Sequence, residues 1–131
     1  MALINLPSTV VGRLTSLKDE FSTPDWDPVG TLVYFSGAAE AKAADNSSLT
    51  TAPARGVIVA KTAVSVATIL YVGEIGGFAG LIPGDDVFLG TSGGLIQAAG
   101  LPTAPGTIIQ KVGSALAADR ILFFPSQLVV L

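Results

Sequence analysis

The chain's ten carboxylates and seven cationic side chains are scattered along 131 residues, with no histidine and no cysteine among them. The missing histidine removes the commonest general base and the commonest metal ligand. The missing cysteine excludes disulfides, thiolate metal sites and thiol catalysis. No serine sits in a Gly-x-Ser-x-Gly elbow, and without histidine a conventional nucleophilic triad cannot be built. The best carboxylate pair is Asp85-Asp86. Neighbours on a strand point to opposite faces, so these two are poorly placed to share a proton or a metal. Directly after Pro83-Gly84, turn capping and solubility are their expected roles. Asp25-x-Asp27 has the start of a calcium loop but lacks its glycine and closing glutamate. The glycine-rich run Gly73 to Gly80 has neither dinucleotide nor phosphate-loop spacing, and reads as a flexible or bulged β-connection that lets backbones approach. The expectation is a non-enzyme with no cofactor, no metal and no small-molecule substrate.

The elements that carry these residues read as short strands. Ile82-Pro83-Gly84-Asp85 asks for a type II turn, and Val87-Phe88-Leu89 follows as a strand. Ser92-Gly93-Gly94 reverses the chain into Leu95-Ile96-Gln97. A second Pro-Gly turn, Ala104 to Thr107, launches Ile108 to Gly113 and then Ser114-Ala115-Leu116. A turn at Ala118 to Arg120 leads to the strand Ile121 to Phe124 and an apolar tail. Upstream, Thr31 to Phe35 is β-prone, with a turn at Gly37-Ala38. Ala39 to Ala43 alternates as a strand exposed on one face. Arg55 to Ala60 reads as a strand buried on both faces, and Val66 to Val72 as another, joined by a turn over Lys61 to Ser65. Eight to ten strands with regular turn signals predict an all-β fold, a small barrel or sandwich. Val57, Val59, Ile69, Tyr71, Phe88, Ile109, Val112, Leu122 and Phe123 are its expected core.

Residues 1–27 differ from the rest. Val10, Leu14, Leu17 and Phe21 fall at helical spacing behind Ser8, a possible cap, while Val10-Val11 and Gly12 favour an extended chain. Pro24 to Pro28 reads as a stiff connector. The division expected is an N-terminal segment at 1–27, either an arm that reaches a neighbouring subunit or an element packed on its own domain, and a β-domain at 28–131. The arm's Leu3, Ile4, Leu6, Val10, Val11, Leu14, Leu17 and Phe21, with the single tryptophan Trp26, are the candidate contacts to a neighbouring subunit or partner. Half of the residues are apolar and 13% are charged, so part of this surface is expected to be buried against other subunits. No basic cluster points to nucleic acid, no apolar run approaches a membrane span, and no secretory signal is expected.

The order Gly80-Leu81-Ile82-Pro83-Gly84, Val87-Phe88-Leu89, Gly93-Gly94-Leu95, Pro105-Gly106, Ile109-Gln110-Lys111-Val112-Gly113, Ala115-Leu116 and Ile121-Leu122-Phe123 resembles a pattern of tailed-bacteriophage structural proteins. These are capsid decoration (cement) proteins and the β-domains of head fibres. Gly30 to Ala60 is also similar, so the resemblance covers residues 28–131. It implies a β-tulip-like barrel or sandwich on the outer surface of the virion capsid. It further implies a homo-oligomer, most readily a trimer, seated on the major capsid protein at capsomer junctions. The rival readings are a tail-fibre, baseplate or head-fibre module for host attachment, and a small ligand-binding barrel, which would enclose an internal cavity.

Overall fold

The computed structural model describes residues 17–25 and 27–131. Ten strands follow one another: β1 Leu17–Ser22, β2 Leu32–Gly37, β3 Glu40–Ala43, β4 Gly56–Ala63, β5 Val66–Gly76, β6 Asp86–Leu89, β7 Leu95–Gln97, β8 Ile108–Ala117, β9 Arg120–Phe123 and β10 Leu128–Val130. A 3-10 turn, Ala98–Gly100, follows β7. The expected all-β class is what the chain adopts.

Strands β1, β3, β2, β4 and β5 close into a five-stranded barrel, because β1 pairs with β3 on one side and with β5 on the other. The β1–β3 contact is parallel and brief; the other pairings of the barrel are antiparallel. Its interior is filled by Val33, Ala41, Ile58, Ala67 and Ile69, with Phe21 and Tyr71 packed against them. Two of the five fully buried residues are alanines, which suits so narrow a barrel. These side chains occupy the barrel interior.

β5 is long enough to serve two sheets. Its first part is barrel wall; its last four residues, Gly73 to Gly76, pair with β9. From there the second sheet runs β9-β8-β6-β7, with β10 beside the first half of β8. The larger core lies between this sheet and the outside of the barrel. Leu32, Val57 and Leu70 from the barrel strands meet Val87, Leu89, Val112, Ile121 and Phe123. This explains why β4 reads as buried on both faces: Ile58 points into the barrel and Val57 into the inter-sheet core.

The joint between the two sheets is polar and specific. Gly93, at φ +75, accepts from Leu32 N–H (2.8 Å) and donates to Ala44 C=O (2.6 Å). A Cβ there would run into the Thr31 side chain and the Leu32 carbonyl, so glycine lets the β6–β7 turn dock on the barrel. Asp45 Oδ2 accepts from Ser92 N–H at 2.9 Å across the same joint. Those hydrogen bonds hold the Asp45 carboxyl below its ordinary range, the Ser47 contact first and Ser92 second. On the inner face of β8, Gln110 is fully buried. Its Oε1 accepts from Ala54 N–H (2.7 Å), and its Nε2 donates to Ala54 C=O and Ser126 C=O (both 2.9 Å). One amide thus ties the loop before β4 to the segment that leads into β10.

Several sequence expectations shift in detail. The Pro83-Gly84 turn closes as read, with Asp85 N–H on Ile82 C=O (3.2 Å) and Gly84 at φ +87. The turn after β2 falls at Ala38-Ala39, one residue later than Gly37-Ala38, and β4 runs on to Ala63, so only Val64-Ser65 turns. Gly73 to Gly76 is regular strand with Ile75 buried, not a bulged connection. Of the expected core, Val57, Ile69, Val112 and Phe123 are fully buried; Val59, Tyr71, Phe88 and Ile109 are half-buried. Leu122 is 42% exposed and is no core residue. The cause is strand parity: Ile121 and Phe123 take the inward positions, and Leu122 between them must face out.

The N-terminal boundary also moves. Leu17–Ser22 is a barrel strand, paired with β5 from Leu17↔Val72 to Ser22↔Val66. The connector after it is pinned to the barrel: Lys61 Nζ donates to Thr23 Oγ1 (2.9 Å) and to Pro24 C=O (3.0 Å). Residues 17–25 are therefore part of the domain wall and not a separate arm ending at Asp27. The helical spacing that included Leu17 and Phe21 is not realised there, because the ladder with β5 supplies hydrogen bonds that a short helix lacks.

Candidate interaction surface

The outer face of the second sheet carries apolar side chains where a solvated strand would carry polar ones. Cross-strand partners share a face, so the register identifies them. Phe88 lies opposite Ile96 and Lys111, Ile109 opposite Val129, and Leu122 opposite Ser114 and Glu74. Leu122 faces out, and this set shares that outward side. Phe124 (61% exposed) and Val129 (59% exposed) stand furthest into solvent, and Leu116 is also exposed. Exposed apolar side chains gathered on one face of a small domain make that face a candidate interaction site. Its charges are paired: Lys111 with Asp86 at 3.1 Å, and Arg120 with Glu74. These pairs are half-exposed and contribute little stability, but they leave the patch without an uncompensated charge.

The change of face along β8 is made by a bulge. Val87 is opposite Gly113 and Phe88 opposite Lys111, so Val112 is the extra residue. Before it, Ile108, Gln110 and Val112 point inward; after it, Gly113 and Ala115 do. Without this shift Ser114 and Leu116 would be forced into the core and Ala115 out of it.

The expected contact residues fall differently. Leu3, Ile4, Leu6, Val10, Val11, Leu14 and Trp26 lie outside the described residues. Leu17 pairs through its backbone with Val72. Phe21 is half-buried at the barrel, stacked on Phe35 (ring centroids 4.7 Å apart) and edge-on to Tyr71 (6.2 Å). It is engaged within its own domain. The outward apolar face was hidden in the sequence because Phe88, Ile109 and Leu122 read as core. The signal that exposes it is the unbroken apolar run Ile121-Leu122-Phe123-Phe124, which alternation makes apolar on both sides.

A groove of about 610 Å3 lies at the sheet joint. Asp27 is its one ionisable lining residue, beside Thr31, Phe78, Ser92 and the glycine backbones of 76–77 and 93–94. Asp27 is 6% exposed, and among the described residues its Oδ2 has no hydrogen-bond partner. Burial pushes its carboxyl above the ordinary 3.8, against the opposing pulls of the Lys61 ammonium and the Ala43 N–H. Among the described residues no three acidic side chains gather as metal ligands.

A raised folded-state pKa means that the folded protein binds this proton more tightly than the unfolded chain. Ionised Asp27 therefore costs stability above its raised pKa, and that cost fades as pH falls towards 3.8. Asp27→Asn is expected to be the more stable protein at pH 7, with the difference in melting temperature shrinking between pH 7 and pH 4. A difference independent of pH would show that the carboxylate is not the source.

No protein-family model matches the chain, and no curated protein matches it either.

Proposed function

We propose that this chain is a structural protein of a tailed-bacteriophage virion. It decorates and stabilises the capsid by binding the major capsid protein at capsomer junctions, as a homo-oligomer with a trimer preferred, and performs no catalysis. The observation that carries the reading is the outward apolar face of the second sheet, centred on Leu122 and Phe124 and free of unpaired charge. A filled barrel and an inter-sheet core make a rigid block that presents this face without reorganisation. The order of Pro-Gly turns and strands over residues 28–131, similar to that of decoration proteins, supports the same reading.

The physical role is mass action. A block that binds only the assembled shell shifts the equilibrium towards the intact shell, and several weak contacts on one oligomer become tight by avidity. The apolar residues Leu3, Ile4, Leu6, Val10, Val11 and Leu14 are proposed as a second contact. The test is co-sedimentation with expanded capsids of the source virus stripped of this protein. Wild type is expected to pellet saturably and to raise the temperature at which the shell opens. Leu122→Asp with Phe124→Asp is expected to weaken binding at least tenfold while the protein still melts cooperatively. Wild type remaining in the supernatant at micromolar concentration would defeat the proposal.

A further inference from the structure

Strand β10 ends the second sheet on one side, and among the described residues it pairs with β8 alone. Its hydrogen-bonding polarity is set by its continuation. Leu131 N–H donates to Thr107 C=O (2.9 Å), and Gly106 N–H donates to Leu131 C=O (2.6 Å). Main-chain groups alternate sides along a strand, so Val129, opposite Ile109, also faces β8. The N–H and C=O of Leu128 and Val130 therefore point away from the sheet.

Such an edge normally carries a lysine, a proline or a bulge that prevents pairing. Leu128 to Leu131 has none of these, and no side chain from Pro125 to Leu131 is charged. Val129, Val130 and Leu131 are each about half-exposed or more. The nearest charge in the ladder, Lys111, is already paired with Asp86. The chain as a whole is acidic, with net charge −3, yet the side chains of this edge bring no like charges together against its own copy.

We propose that β10 pairs antiparallel with β10 of a second copy across a two-fold axis at Val129. Leu128 and Val130 then exchange main-chain hydrogen bonds with Val130 and Leu128 of the second copy. Val129 faces itself as the non-hydrogen-bonded pair between them, and the sheet continues from one molecule into the next. The self-complementary, uncharged edge favours a second copy over a foreign strand, which would need no such symmetry. The inference goes beyond the capsid reading: in a trimeric decoration layer this contact would join one trimer to its neighbour, and it is tested without capsids.

The absence of cysteine makes the test direct. In a non-hydrogen-bonded antiparallel pair the Cα atoms are about 4.5 Å apart, within reach of a disulfide. Val129→Cys is expected to become mostly a covalent dimer on a non-reducing denaturing gel after mild oxidation at micromolar concentration. Val64→Cys, in the exposed β4–β5 turn, is expected to stay near background. Adding Val130→Pro, which removes an N–H that β8 does not use, is expected to abolish the V129C dimer. Val129→Lys places like charges on the axis without altering the fold, and is expected to shift the sedimentation of the otherwise native chain to a smaller species. V129C dimerising no more than V64C, or V129K sedimenting like wild type, overturns the proposal whether or not the protein binds capsids.

Discussion

A deletion of residues 1–27 is expected to abolish cooperative folding, whereas a deletion of residues 1–16 is expected to preserve it. The longer deletion removes β1, the strand that closes the barrel between β3 and β5. Two strand edges open, the interior around Ala67 and Ile69 meets water, and Phe21 is lost from its contacts with Phe35 and Tyr71. Each aromatic pair contributes about 0.5–1.5 kcal/mol beyond its burial. Lys61 loses both acceptors, Thr23 and Pro24. Against a total stability of about 5–15 kcal/mol for an ordinary domain, these losses together exceed what the fold can absorb. The shorter deletion leaves every described pairing in place. Far-UV circular dichroism and a thermal melt of the two proteins check this; a sharp, native-like melt for the 1–27 deletion would show that the barrel does not need β1. The 1–16 deletion then also isolates any contribution of Leu3 to Leu14 to capsid binding, since its fold is expected to be unchanged.

Gly113→Ala is the single substitution expected to cost most for its size, about 3 kcal/mol or more, at the upper end of ordinary point changes. A Cβ at this bulge position would overlap the Leu122 carbonyl oxygen and press on the Leu122–Phe123 backbone of β9. Both obstacles are main chain within a paired ladder, so no rotamer change relieves them. Relief requires β8 and β9 to separate, and the register that turns Ala115 inward and Leu116 outward goes with them. Gly37→Ala is the control: nothing lies within 4 Å of a Cβ there, and its expected effect is within about 0.5 kcal/mol. Urea melts of the three proteins distinguish the cases, and G113A unfolding at the wild-type midpoint would rule out the bulge as a fixed element.

Local chemistry determined much of this protein from the sequence alone. Pro-Gly and Gly-Gly turns act through the φ values of the residues themselves, so the strand order from Ile82 to Phe123 is legible without a partner in space. β-prone runs and the lack of histidine and cysteine are equally local, as is the double-sided apolarity of β4, which correctly signals burial on both faces. What tertiary structure decided is which side of each strand is inside. Phe88, Ile109 and Leu122 are as apolar as Val87, Ile108 and Ile121, and composition cannot separate them; strand parity and the one-residue bulge before Gly113 do. The fate of Leu17 to Ser22 was likewise undecidable locally, because its hydrogen-bond partners on β5 lie some fifty residues away and the helical and extended patterns balance until that ladder exists. The same non-local pairing turned an expected core residue, Leu122, into surface and an expected contact, Phe21, into barrel, since burial belongs to the assembled sheets and not to any residue by itself.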